Sequence, residues 1–449
     1  MRLFDIFRSD RYLVAMANAL PMSDMRTGLT GKTKIIATLG ESRWAAIALA
    51  ILLVALFRLT TPIARPLNDG TEYLKIASEG LDPHAQLAAP FAYRFAVPLF
   101  VHGVSVLTGI DPIRIFPGVA FLSCVALLLA SYVVARLAGS PGRYALLTML
   151  LMASSLFVVR FPLYFPFAVD VEALLVAFLA FALLLRRSHI AALFVSCLGL
   201  LFKEFLLAPL LVVICTFFID YLHSRTNRPL LWTVISVVLT VTVFLLPRLL
   251  IPVTYSFGTI LKVKAPAPDS TLYLSELRRF LAWPPRIGTF VNELLALSSF
   301  WLPALMLLTP ARLRALWRSL GPTRILVVAW MVAVLVLTTV GGTNIMIFVT
   351  YSAPVLVVVL TLLFNLMVSK AEVIAIVFAT LLFNRMIFSF GAPDGDLDTV
   401  ISFYGAYSHL LDDVTMWRFA ELTGWILLGW GIRRGLRVAP VAAHEVEQA

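Results

Sequence analysis

Charge is scarce in this sequence. Only 14% of its 449 residues are charged, 60% are hydrophobic and the mean hydropathy is +0.93, whereas a soluble domain is about a quarter charged and about half apolar. That excludes water as the main solvent. Cysteine is scarce too. Cys124, Cys197 and Cys215 all lie within apolar runs, with no paired spacing. This excludes a disulfide framework or a cysteine zinc site and predicts three small core residues. There is no internal repeat, low-complexity tract or soluble domain of useful size. There is also no P-loop, dinucleotide fingerprint, zinc-protease helix or nucleophile elbow, and the chemistries those motifs mark go with them.

Long apolar runs are what the chain does have. They recur at roughly 17 to 25 residues, the length a helix needs to cross about 30 Å of hydrocarbon, and a lipid-exposed backbone must satisfy its own hydrogen bonds. The predicted fold is therefore all-α, a polytopic membrane bundle of about twelve helices, with interfacial helices in the first extracytoplasmic loop. The expected spans begin near residues 44, 113, 144, 167, 189, 205, 230, 291, 325, 347, 373 and 416. Residues 1–43 are predicted to form a cytoplasmic segment, 44–437 the transmembrane domain and 438–449 a cytoplasmic tail. Arg2, Arg8 and Arg11 before an apolar stretch imitate a signal peptide, but Asp5, Asp10 and Asn18 interrupt that pattern.

The formal net charge is +11. Its basic residues punctuate the apolar runs and form no continuous face, which points to membrane topology and away from nucleic acid. With both termini inside, the short cytoplasmic loops hold Arg136 and Arg143, Arg186 and Arg187, Arg225 and Arg228, the group Arg312 to Arg324, Lys370 and Arg433 to Arg437. Each is basic, as the positive-inside rule requires. His189 to Leu222 would make one helix of about 50 Å, so two short spans are predicted to meet at Lys203 and Glu204. Three non-cytoplasmic segments, about 65–112, 252–290 and 391–415, are then long enough to hold a site.

In the first of these segments, Asn68, Asp69 and Gly70 mark a helix start just beyond the opening span. Asp69, Glu72, Tyr73 and Ile76 then share one face, which puts candidate catalytic carboxylates Asp69 and Glu72 at the membrane surface. Partial burial there can tune a general base; the alternative is a helix cap with a solvated acidic face. Tyr93 and Arg94 follow between Pro90 and Pro98. An arginine fork suits phosphate and a tyrosine suits a ring or acyl chain, and the alternative is a headgroup anchor.

Asp170 and Glu172 interrupt the start of a later span, where acids are costly without a cavity or partner. Residues two apart face different sides, and Arg160, just before, is a natural partner for Asp170. Lys203 and Glu204 at the hairpin tip can reach the outer interface, or simply end two short spans by snorkelling. Lys262, Arg278 and Arg279 lie in segment 252–290, which is basic against the positive-inside trend; they suit an anionic lipid-linked substrate or lipid headgroups.

The order of these features resembles the polyprenyl-phosphate-sugar-dependent membrane glycosyltransferases of the C-type fold (GT-C), a superfamily that includes protein O-mannosyltransferases and lipid A aminoarabinose transferases. The resemblance rests on four pieces: Asp69-x-x-x-Tyr73-x-x-Ile76-Ala77, the Pro90 to Pro98 stretch with Tyr93-Arg94, Asp170, and Lys203-Glu204. It implies that Asp69 deprotonates an acceptor hydroxyl, which attacks the anomeric carbon of a polyprenyl-phosphate sugar with inversion. Arg94 and Lys203 would then stabilise the departing phosphate at the extracytoplasmic face. The sequence shows no required cofactor, and no ligand spacing argues for a divalent metal. The chain departs from the family pattern at Gly341 to Asn344, where an arginine contact to phosphate is expected, and in having no large C-terminal soluble domain. Two other function classes fit the composition: a secondary transporter or lipid flippase, with ionisable groups at the midplane of broken helices, and a non-catalytic assembly subunit of the same fold.

Overall fold

The computed structural model describes residues 30–66, 69–82, 87–251, 253, 255–256, 287–340, 345–366, 369–386 and 413–435. These residues are almost entirely helical. In chain order the helices are α1 Thr30–Thr60, α2 Asp69–Glu79, α3 Ala96–Thr108, α4 Pro112–Leu137, α5 Gly142–Ala153, α6 Leu156–Tyr164, α7 Asp170–Leu185, α8 His189–Gly199 and α9 Leu207–Ser224. The second half adds α10 Asn227–Leu250, α11 Ile287–Phe300, α12 Leu302–Leu307, α13 Pro310–Ser319, α14 Arg324–Val340, α15 Ile345–Asn365, α16 Lys370–Phe383 and α17 Asp413–Gly435.

The all-α membrane bundle stands, but the count of about twelve spans does not. A helix begins at or near each expected position, yet among the described residues six are long and apolar enough to cross a membrane. The number is seven if α5 and α6, bent by 74° at their junction, make one span. Length is the reason. At 1.5 Å per residue the 11 residues of α8 reach roughly 16 Å and the 14 of α16 roughly 21 Å, short of about 30 Å. The apolar runs are real, but several are broken before they span. The opening helix also begins earlier than residue 44, at Thr30, with Arg43–Thr60 as its apolar part.

Burial follows position in the bundle. Helix α15 is the central element, buried along nearly all of its length, whereas α10 buries only Ser236 and Pro247 and turns the rest outward. Several polar residues in the apolar helices are satisfied locally: Ser131 donates to the Leu128 carbonyl, and Thr148, Ser196, Thr338 and Thr380 each donate one turn back. Cys124 and Cys197 are buried core residues as expected, but Cys215 is exposed, because it sits on the outer face of α9.

Three local features place the site. Helices α2 and α3 are too short to span and pack on α4 at one end of the bundle. The strand β1 Ala88–Ala89 pairs in parallel with β2 Tyr255–Ser256, which ties the chain after α10 to the segment between α2 and α3. Between α8 and α9 the helix breaks at residues 200–206, with Lys203 in extended conformation. The two flanking helices pack together there, and a Cβ on Gly199 would meet the Leu206 side chain at 2.8 Å. The predicted turn at Lys203-Glu204 is present.

Candidate functional site

Asp69 begins α2 on the partly buried face of that helix. Burial is the main influence that raises its carboxyl above the usual range; Asp170 adds to the rise, while Arg94 and Lys203 oppose it. These four side chains come from α2, the turn before α3, the start of α7 and the α8–α9 turn, so the fold brings together groups far apart in sequence.

Every charge in the cluster except Asp69 is in an ion pair among the described residues. Lys203 Nζ pairs with Asp170 Oδ1 and lies 5.5 Å from the centre of the Phe348 ring. Arg94 Nε donates to Glu204 Oε2 at 2.7 Å, and its Nη1 donates to the Tyr73 hydroxyl at 3.3 Å. Tyr73 is fully buried, edge-on to Phe91 at 5.7 Å, and burial pushes its phenol up, so it keeps its proton. The other oxygen of Glu204 accepts from Arg248 Nη2 at 3.1 Å. Counted as ionised, the group holds three carboxylates (Asp69, Asp170, Glu204) and three cations (Arg94, Lys203, Arg248).

Several sequence expectations need correction. Asp170 is partnered by Lys203, not by Arg160, whose Nη1 donates instead to the Arg385 carbonyl at 3.0 Å. The sharp bend between α5 and α6 and the turn at Lys203 explain the exchange. Glu72 is buried, with Oε1 on Lys75 Nζ at 2.8 Å, an i,i+3 pair on its own helix. It therefore sits as a structural acid beside the cluster. Tyr93 is also buried, its ring beneath the Arg248 guanidinium at 4.8 Å, so it supports a charge and offers no open face to a ligand. Glu172 is buried and hydrogen-bonds to Ser123 on α4. Lys262, Arg278, Arg279, Asn68 and the Gly341 to Asn344 stretch lie outside the described residues.

Two members of the cluster escape a reading of the sequence. Arg248 closes α10 behind Pro247; a buried carboxylate at 204 demands a counter-charge, and that demand is the available clue. Tyr351, in α15, is 1% exposed and within electrostatic reach of Asp170, Arg94, Glu204 and Tyr73. Its hydroxyl is buried without a hydrogen-bond partner. Nothing in the local sequence Phe348-Val-Thr-Tyr351 distinguishes it from core. Among the described residues no group of three or more His, Cys, Asp or Glu side chains is placed to hold a metal ion.

Comparison with models of known protein families, with curated proteins and with solved structures finds no match to this chain. The cluster comprises a carboxylate of raised proton affinity, cations able to meet an anionic leaving group and, among the described residues, a phenol without a hydrogen-bond partner, at the end of the bundle where α2 and α3 pack on α4.

Proposed function

We propose that the chain is an integral membrane glycosyltransferase that moves a sugar from a polyprenyl-phosphate donor to an acceptor hydroxyl, with inversion, at the extracytoplasmic face. The observation that supports this most is that Arg94 and Lys203, from two separate segments, both lie within electrostatic reach of Asp69 on a third. In the proposed reaction Asp69 takes the acceptor proton as the acceptor oxygen bonds to the anomeric carbon. The bond from that carbon to the phosphate oxygen breaks, and its electron pair leaves on the phosphate. Arg94, Arg248 and Lys203 receive that phosphate by exchanging part of their contact with Glu204 and Asp170. The pairing of Arg94, Arg248 and Lys203 with Glu204 and Asp170 fits this role, since buried charges in a low dielectric are costly unless paired. The basic loops at the other end of the bundle support the assignment of sides.

The test is donor consumption. Purified protein is incubated in proteoliposomes with a panel of polyprenyl-phosphate sugars and acceptors, and Asp69→Asn should lose transfer by at least a hundredfold, in the range typical of a removed general base, while remaining folded. Near-normal transfer by that variant would exclude Asp69 as the base.

A second reading draws on the same ion pairs. Because Arg94, Lys203 and Glu204 are already matched, the cluster would also serve as a clasp joining α3, α7, α9 and α10 in a non-catalytic subunit. The readings diverge at Asp69, which is in none of these pairs. A clasp tolerates Asp69→Asn, and a transferase does not.

A further inference from the structure

A cavity of about 400 Å³ lies at the opposite end of the bundle from the Asp69 cluster. Helix α7 shows the separation: Asp170 at its start belongs to the cluster, whereas Leu184 near its end lines the cavity, and fourteen residues at 1.5 Å each put roughly 21 Å between them. Glu204 and Asp220 are divided in the same way along the span Glu204–Ser224.

An arginine, a histidine and an aspartate line this cavity: Arg187, His189 and Asp220. Both charges act on His189, so all three are near neighbours, yet among the described residues neither Arg187 nor Asp220 is in an ion pair. The His189 ring lies edge-on to Phe217 at 5.8 Å between centroids, which fixes it in the cavity wall. Arg187 also occupies a left-handed position, φ +58°, at the end of α7. Its N–H donates to the Leu184 carbonyl and that of Ser188 to Leu183, the helix ending in which glycine is the usual residue. A cation is thus held at a turn where a side chain is itself unfavourable. Cation and anion stand apart at the rim of one cavity, as a bound group carrying both charges would require.

We propose that this cavity binds the phosphoethanolamine headgroup of a glycerophospholipid. The phosphate meets the Arg187 fork and the primary ammonium donates to Asp220, with the His189 ring in the wall between them. The same chemistry excludes near relatives: a glycerol headgroup brings no cation for Asp220, and a choline headgroup brings a cation without an N–H. A lipid is the source, and not a soluble compound, because the cavity wall continues into the hydrocarbon-facing surface: Ile325 lines the cavity yet is 61% exposed. Pockets between helices at this level of a membrane are where headgroups are read. The inference does not depend on sugar transfer.

The experiment uses the full chain, purified in detergent and stripped of lipid, with native mass spectrometry in equal concentrations of phosphatidylethanolamine, phosphatidylcholine and phosphatidylglycerol. The first should be retained roughly tenfold over the others, equivalent to about 1.4 kcal/mol. Asp220→Asn should reduce its retention to that of phosphatidylglycerol, and Arg187→Gln should weaken both of these lipids. Both side chains are exposed, so an unchanged elution volume and melting temperature are expected and verify folding. Equal retention of the three lipids by the unaltered protein overturns the proposal, as does selectivity that survives Asp220→Asn. Displacement of the lipid by an equal concentration of soluble glycerophosphoethanolamine overturns the assignment to a lipid.

Discussion

Arg94 and Glu204 lie 110 residues apart in the chain and meet at 2.7 Å, with Arg248 completing the carboxylate from the other side at 3.1 Å. The Glu204 side chain is 20% exposed and the two arginines 13% and 8%, so screening by water is slight. Removing a shared buried carboxylate costs far more than forming the pair gained, because the cations it served stay desolvated. Glu204→Gln should therefore destabilise the protein by about 3–5 kcal/mol, read as a lower thermal or denaturant midpoint in detergent. The double change Glu204→Gln with Arg94→Gln should recover part of that loss. A melting temperature unaltered by Glu204→Gln would show that the pair holds nothing together.

Asp69 gives the proposed reaction its pH dependence. A general base works ionised, so transfer should rise with pH through the carboxyl's raised value, placing the acid limb of kcat/KM above the ordinary aspartate value of about 3.9. Arg94 is the largest of the influences that lower it, so Arg94→Gln should move that limb to still higher pH as well as reduce the rate. The stability consequence has the opposite sign from that of a paired carboxylate. A folded value above the unfolded one means the native state holds the proton more tightly. Ionised Asp69 is therefore a liability at neutral pH, and the liability disappears as pH falls below the unfolded value. Asp69→Asn should melt no lower than the parent at pH 7, with the difference closing toward pH 4. A variant that melts well below the parent would assign Asp69 a structural role.

Much of this site is legible in the sequence, because charge in an apolar chain is conspicuous. Asp69, Arg94, Asp170, Lys203 and Glu204 each interrupt or border a hydrophobic run, and topology alone puts them at one end of the bundle. Pairing is not legible. Arg160 is ten residues from Asp170 and looks like its partner, but which cation reaches a carboxylate is set by helix bends and by the turn at Lys203. Span number fails for a related reason: composition shows that a run is apolar, not that it stays helical for 30 Å, and α8 ends after 11 residues at Gly199. Tyr351 is hidden because an aromatic residue in a buried helix carries no local sign of what its hydroxyl faces.

Gly70 positions the base. A Cβ at this residue would come within 2.9 Å of both the Phe165 ring and Phe167 Cβ, and the latter is tied to the backbone and has little room to give. Gly70→Ala should therefore push the start of α2 away from the α6–α7 connection and carry the adjacent Asp69 with it. Misplacement by about 1 Å typically costs around a hundredfold in rate. Transfer should fall by that order while the far end of the bundle, read by lipid retention at the Arg187 cavity, stays unchanged. Full activity in Gly70→Ala would mean that the phenylalanines yield and that the helix start is not fixed by this contact.

Tyr351 provides a test in which stability and activity should move in opposite directions. Its ring is held by Phe205 at 4.6 Å between centroids, and its carbonyl accepts the Trp330 indole N–H at 2.8 Å, so the side chain has little freedom to seek another partner. A buried hydroxyl without a hydrogen bond costs about 1–3 kcal/mol, and native proteins retain such a group where it serves something else. Here the hydroxyl is within electrostatic reach of Asp170, Arg94 and Glu204, and the proposed donor phosphate would accept its hydrogen. Tyr351→Phe deletes the unsatisfied oxygen and keeps the ring. It should raise the melting midpoint, by about 1 kcal/mol of stability, and lower kcat/KM for the polyprenyl-phosphate donor roughly tenfold, the loss of one such hydrogen bond in the transition state. If the variant is both less stable and fully active, the hydroxyl is a structural group and phosphate recognition belongs to the cations alone.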